Sequence, residues 1–388
     1  MGTDLSADCV VATGFEPVAD EFERNFSARG ELGAAFCAVV EGQTVVDLWG
    51  GVADRVEGRP WERDTLQLIF SGTKGLVAIC MLMLIDRGLL DLDDRVCRHW
   101  PEFSAGGKDE VTVREVVTHT ARLPGLTRQV AADELADDRK MAELLAVQAQ
   151  FDDPRALRTY HALTYGWLCG ELVRRVDGRS IGRFFAEEIA GPLQLDIYIG
   201  LPADLEPRVS RLELADSWGQ LPVFDPSAMD GDELMQAVWA NPVILSSESF
   251  PWNSSLYHQA EIPGANAIGT ARAIAMLYAA LDQLISPEAL ALGATELERR
   301  HDALLEDEQS FGVGFELQGE LRPFGPPPDA FGHTGAGGSA HGMWPRQRTS
   351  FSYAMNLMHD DYPDGDPRPR ALLATLYSCI EKKPEGTK

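Results

Sequence analysis

The apolar positions of this chain change period several times along its length, and those changes sort it into three stretches. Between residues 15 and 29 spaced apolar residues in polar sequence predict an amphipathic helix. Residues 34 to 50 hold two β-rich runs joined at Glu41-Gly42-Gln43, the turn chemistry of a hairpin. A charged loop, residues 51 to 65, leads into the strand-like run Leu66-Gln-Leu-Ile-Phe70. The next run, Gly75-Leu-Val-Ala-Ile-Cys-Met-Leu-Met-Leu-Ile85, is apolar on every face, which predicts a buried helix stopped at Gly88.

The middle of the chain keeps helical periods. Thr112-Val-Arg-Glu115 has the spacing of a capping box at a helix start. Helices are expected over residues 133 to 149, over 165 to 176 (ended at Asp177-Gly178), over 181 to 189 (ended before Pro192) and over 269 to 281. Residues 200 to 260 are rich in Pro, Asp and Ser and read as long surface loops, a lid or cleft wall. From Phe311 onward the period shortens to β-rich runs at 311 to 317, 331 to 334, 342 to 344 and 350 to 355, and a helix over 370 to 380 closes the chain. Strands at both ends with helices between predict an antiparallel sheet built from residues 1 to 70 and 300 to 388, plus a helical domain over 71 to 299. A cleft between the two would have Ser71 at its floor.

Composition narrows the partners. A formal charge of −26 over 388 residues would repel nucleic acid and anionic membrane surfaces. The first residues show neither a basic nor an apolar segment of a secretory signal, and no run approaches the ~18 apolar residues of a membrane span. Six scattered cysteines without C-x-x-C spacing read as reduced thiols, so a cytoplasmic location is expected. Only six of the 34 basic residues are lysines. One of these, Lys74, falls at the start of the wholly apolar run, where an unpaired charge is expensive.

Three short stretches carry candidate chemistry. Ser71-Gly-Thr-Lys74 puts a hydroxyl and an amine one helical turn apart, so that a desolvated lysine could take the serine proton. The helix N-terminus adds backbone N–H groups where oxyanion charge would develop. The bland alternative is a capping serine with a snorkelling lysine. Tyr160 lies in the loop before the helix of residues 165 to 176 and could relay a proton, or be a core aromatic with a satisfied hydroxyl. Phe331-Gly-His333-Thr334-Gly335-Ala336-Gly337-Gly338 permits close backbone approach by a ligand at a strand edge, or forms a tight turn. No G-x-S-x-G elbow, Walker A loop, dinucleotide fingerprint or H-E-x-x-H pair is present, so neither a metal nor a cofactor is expected.

In this order, the three stretches resemble the motifs of the serine β-lactamase and penicillin-binding-protein superfamily. The likeness is greatest to its class C β-lactamase-like carboxylesterases, often called family VIII. Ser71-Gly-Thr-Lys74 matches the S-x-x-K motif, Tyr160-His161-Ala162 falls at Tyr-x-Asn, and His333-Thr334-Gly335 falls at Lys-Thr-Gly. The resemblance implies an α/β (α+β) fold of β-lactamase/transpeptidase type, with an antiparallel sheet flanked by helices. It implies an acyl-enzyme on Ser71, with Lys74 and Tyr160 serving as base and then acid. Ser71 and Ala336 would supply oxyanion N–H groups, and His333, Thr334 and Gly335 would border the substrate. Two departures, Ala162 for the asparagine and His333 for the lysine, weaken recognition of an anionic β-lactam. The expectation is therefore a serine hydrolase acting on small-molecule carboxylic esters. Acyl transfer from the same acyl-enzyme, and β-lactamase or D-amino-acid amidase activity, are the alternatives; a non-catalytic scaffold is disfavoured by the intact Ser71, Lys74 and Tyr160.

Overall fold

A computed structural model describes residues 8 to 360 and 365 to 382. Its centre is a ten-stranded sheet with antiparallel neighbours throughout. Across the sheet the strands run Val10–Val11, Gln43–Asp54, Gly33–Val40, Thr349–Met355, Ser339–Trp344, Phe331–Gly335, Glu316–Leu317, Glu308–Phe311 and Glu298–His301, with Arg59–Pro60 paired to Gln43–Asp54 off this path. N-terminal and C-terminal segments therefore meet in mid-sheet, where Phe36 stands opposite Tyr353 and Ala38 opposite Phe351. The expected hairpin is present, and Glu41 and Gly42 both take positive φ at its turn (50° and 79°).

Strand alternation decides what each face packs against. Cys37 and Val39 meet Ala275 of the helix Ala271–Ala279, whose carbonyl also accepts from Ser350. On the other face the helices Glu16–Ala28 and Pro367–Glu381 pack together. There Tyr353 donates to Glu31, which also pairs with the fully buried Arg368. The segment of residues 71 to 299 is thus not wholly separate from the sheet, because one of its helices covers a sheet face.

Several local features depart from the expected elements for identifiable reasons. Residues 133 to 147 form a 3-10 turn, Asp133–Ala136, and a helix, Asp138–Val147, because the Asp137 side chain caps a new start by accepting from the Lys140 N–H. The helix expected to stop before Pro192 instead passes through a π-helical turn, Ala186–Ala190, into Gly191–Leu193, where proline near a first turn needs no N–H. The long loop region contains the short helices Glu233–Trp239 and Ser255–Gln259. The capping box at Thr112 and Glu115 forms with both hydrogen bonds.

The helix Thr73–Asp86 is the element that places the site. All but two of its 14 residues are buried, so packing on every side fixes its axis and roll. Its C-terminus closes at Gly88 in the left-handed region (φ 66°).

Candidate active site

Ser71 lies in a 3-10 turn, Phe70–Gly72, that runs directly into the buried helix. The turn is tightly held. Phe70 takes a positive φ of 44°, a costly conformation for a bulky residue, and its ring packs edge-on against Trp252 at 5.0 Å. A Cβ on Gly72 would stand 2.6 Å from the His341 ring, so only glycine lets the serine turn approach the sheet here. The surrounding packing holds this strained turn, and Ser71 lies at the cavity wall.

One turn on, Lys74 is completely buried. Its Nζ stands 3.0 Å from Ser71 Oγ, 2.7 Å from the Ala162 carbonyl oxygen and 2.6 Å from the Gly264 carbonyl oxygen. Among the described residues no carboxylate pairs with it. Burial pushes its pKa well below the usual lysine range, against which the more distant Glu316 and Cys169 pull upward. In the neutral form that burial favours, two N–H groups satisfy the two carbonyls, and the lone pair is left for the Ser71 proton.

The Gly264 carbonyl is set by a side-chain-held loop. Asn266 accepts from the Ile262 N–H and donates to the Tyr257 and Ala260 carbonyls. That loop sits directly on the helix Thr164–Asp177, since a Cβ on Gly166 would come within 2.0 Å of Gly264 N. Neither carbonyl partner of Lys74 was identifiable from the sequence, because any residue type supplies a carbonyl. The Ala162 position contributes through its backbone, although its side chain offers no amide.

Tyr160 enters from the other side. Its ring lies under Lys74 Nζ, 4.8 Å to the centroid, and its hydroxyl is hydrogen-bonded towards Ser71 and lies 3.4 Å from His333 Nε2. Burial pushes the phenol well above its usual pKa, so it stays protonated at neutral pH. The ring is stacked on His119, which is itself stacked on Tyr165, with centroids 4.7 Å apart in both pairs. His119 Nδ1 accepts the His161 N–H, which locks the backbone next to Tyr160. His119 drew no notice in the sequence because its work is packing and backbone support.

The strand Phe331–Gly335 brings His333, Thr334 and Gly335 to the same cavity, followed by Ala336 at the turn into Ser339–Trp344. A Cβ on Gly335 would lie 2.3 Å from the Ile69 carbonyl oxygen, so glycine allows this strand to reach the residues just before the nucleophile. The cavity holds about 870 Å3 and touches Ser71, Tyr160, His333 and Ala336. Leu221, Phe224, Trp239, Ile244, Leu245 and Trp252 supply much of its apolar wall, mostly from the long loop region. Burial brings His333 down to about 3, so it is a neutral imidazole rather than a cation. Glu316, from the neighbouring short strand, also faces the cavity. No spacing or motif marks it, since a glutamate after Gly312-Val-Gly-Phe315 reads as an ordinary strand-edge charge.

The beta-lactamase family model matches residues 19 to 375. The chain belongs to the beta-lactamase family. Over 354 residues this beta-lactamase-family protein is 32% identical to the esterase/beta-lactamase LipL of Mycobacterium tuberculosis, covering 89% of this chain and 81% of LipL. It superposes with a TM-score of 0.86 on a crystal structure of a family VIII carboxylesterase, at 35% identity over 97% of this chain and all of that one (100%). A penicillin-binding-protein homologue from Caulobacter crescentus matches at the same TM-score of 0.86 and 35% identity, covering 97% and 100% of the two chains. The fold expected from the sequence, an antiparallel sheet with helices in the β-lactamase/transpeptidase manner, is the fold observed. The protein is a serine hydrolase by family and fold. No helix among the described residues is long and apolar enough to cross a membrane.

Proposed function

We propose that this protein is a carboxylesterase that works through an acyl-enzyme on Ser71. The observation that carries the reading is Lys74: a buried amine 3.0 Å from the serine oxygen, with both spare donors engaged by carbonyls. In acylation the Ser71 Oγ–H proton passes to Lys74 Nζ as Oγ bonds to the ester carbonyl carbon. The carbonyl electrons move onto oxygen, facing the N–H groups of Ser71 and Ala336. On collapse the C–O bond to the alcohol breaks, and the leaving oxygen takes the Tyr160 hydroxyl proton. The Lys74 ammonium returns its proton to the tyrosine. Water then repeats the cycle on the acyl-enzyme, releasing the acid and Ser71. The pKa directions favour Lys74 for the first proton: burial makes the amine easier to deprotonate, while it makes the phenol hold its proton.

Substrate preference follows from what lines the cavity. Ala162 offers no side-chain amide to a β-lactam or peptide amide, and neutral His333 offers no fixed cation to a substrate carboxylate. The apolar wall suits an uncharged acyl group or alcohol. Hydrolysis of p-nitrophenyl butyrate and of a chromogenic cephalosporin, measured on wild type and Ser71→Ala, tests the reading. Ester turnover should exceed cephalosporin turnover by at least about 10²-fold and vanish in the variant, the scale on which a site built for one polar pattern rejects another. Faster cephalosporin turnover, or an active Ser71→Ala, would overturn it.

A further inference from the structure

Glu316 has no part in the motifs, yet it stands where the motif histidine meets the cleft. Its Oε2 accepts from the Thr334 N–H at 3.0 Å and from the Thr334 hydroxyl at 2.9 Å, and lies 3.6 Å from His333 Nδ1. The strand Glu316–Leu317 pairs with Phe331–Gly335 only through Gly332 and Phe331. The edge at Thr334 is therefore closed by the Glu316 side chain in place of a backbone partner.

The surroundings of His333 determine which nitrogen carries its proton. Nδ1 faces the Thr334 carbonyl oxygen at 2.8 Å and the Glu316 carboxylate beyond it, and both are acceptors. A neutral ring has one N–H, so the proton sits on Nδ1 and Nε2 is left with a lone pair. That lone pair faces the Tyr160 hydroxyl at 3.4 Å. Building on the esterase reading above, we propose that Glu316 is a positioning residue: with the Thr334 carbonyl it holds the His333 proton on Nδ1, so that Nε2 accepts the Tyr160 hydroxyl and sets the phenol beside Ser71. His333 takes no proton in this arrangement; its Nε2 gives the Tyr160 O–H a second acceptor beside Ser71 until the leaving alcohol takes the proton.

Charge on Glu316 strengthens the arrangement. Burial raises its carboxyl to about 7, the two Thr334 hydrogen bonds oppose that rise, Asp307 adds to it and Lys74 opposes it. The titratable groups facing it are His333 on the neighbouring strand, Lys74 on the buried helix, Asp307 beside the strand Glu308–Phe311, Tyr160 in its loop and Tyr278 on Ala271–Ala279. As pH rises through about 7 the carboxylate forms, attracts the His333 N–H and makes Lys74 more basic.

Glu316→Gln separates this role from a structural one, because an amide oxygen in the place of Oε2 still accepts from Thr334 but removes the negative charge that faces His333 Nδ1. Long-range proton–nitrogen NMR of histidine-labelled protein, with His333 assigned by its loss in His333→Gln, reads the tautomer directly. Wild type should show His333 protonated at Nδ1, and Glu316→Gln should move the proton wholly or partly to Nε2. Wild-type kcat in p-nitrophenyl butyrate hydrolysis should rise as the carboxylate forms through about pH 7; Glu316→Gln should lose that rise and lower kcat about 10-fold, less than the ~10²-fold of a direct acid–base group, with KM within about twofold. An Nε2-protonated His333 in wild type overturns the proposal without any variant. So does an unchanged tautomer, or an unchanged kcat and pH profile, in Glu316→Gln. Since the tautomer is read without substrate, a wild type inactive on esters would defeat the esterase reading and leave the placement of the proton to be judged by NMR alone.

Discussion

Lys74 is the most expensive residue in the site and the most informative. A buried amine held below its usual pKa is carried by the folded state with fewer protons than by the unfolded chain. The sign follows: between the lowered folded pKa and the ordinary lysine value, folding stability rises with pH. Lys74→Met removes that dependence. Its stability relative to wild type should fall as pH rises across this window, by up to ~1.4 kcal/mol per pH unit, in urea titrations at several pH values. A difference that is flat with pH would mean that Lys74 stays charged when folded. In the same variant kcat should drop by ~10²-fold or more, as expected for loss of a base. Ser71 and Lys74 were singled out in the sequence by their one-turn spacing ahead of an apolar run, and Tyr160 and the His333-Thr334-Gly335 run by the family resemblance of the ordered motifs. The carbonyls of Ala162 and Gly264, the stacking His119 and the edge-closing Glu316 were not. Each acts through backbone, ring face or tertiary placement, and none of these leaves a spacing to read.

At the level of elements, the site depends on close approaches that glycines permit. The serine turn reaches the sheet at Gly72, and the 262 to 266 loop reaches the helix Thr164–Asp177 at Gly166. Gly166→Ala places a methyl 2.0 Å from Gly264 N, so the loop must lift and carry the Gly264 carbonyl away from Lys74. Overpacking of this kind costs about 1–3 kcal/mol. The expected outcome is a lower Tm together with a kcat loss larger than that for an alanine introduced at Gly178, where the methyl meets open space and the strain is confined to a left-handed helix cap (φ 92°). Equal kcat losses would detach the loop from the chemistry. Apolar runs announced the elements that bury most surface, which is why the helix Thr73–Asp86 and the central strands appear where the pattern puts them. The strand Glu298–His301, of sequence Glu-Arg-Arg-His, was hidden because an edge strand can be polar. The π-helical turn at Ala186–Ala190 was hidden because its residues have ordinary helical periodicity.

Across the whole molecule, three distant pieces of sequence converge on one cavity. Ser71 and Lys74 come from the helix Thr73–Asp86 and its entry turn, Tyr160 from a loop, and His333 to Ala336 from a sheet strand. Dense packing around each piece pre-orients groups that the reaction would otherwise have to order, and burial sets the two pKa directions that distinguish base from acid. Hydrolysis and acyl transfer share every step up to the acyl-enzyme, and they part only at the acceptor. The direct test of the central claim is therefore covalent. Intact-mass measurement after treatment with a fluorophosphonate should show one adduct per chain, mapped by peptide sequencing to Ser71 and absent from Ser71→Ala. An unmodified wild-type chain, or an adduct on another residue that survives in Ser71→Ala, would contradict the assignment of Ser71 as the nucleophile.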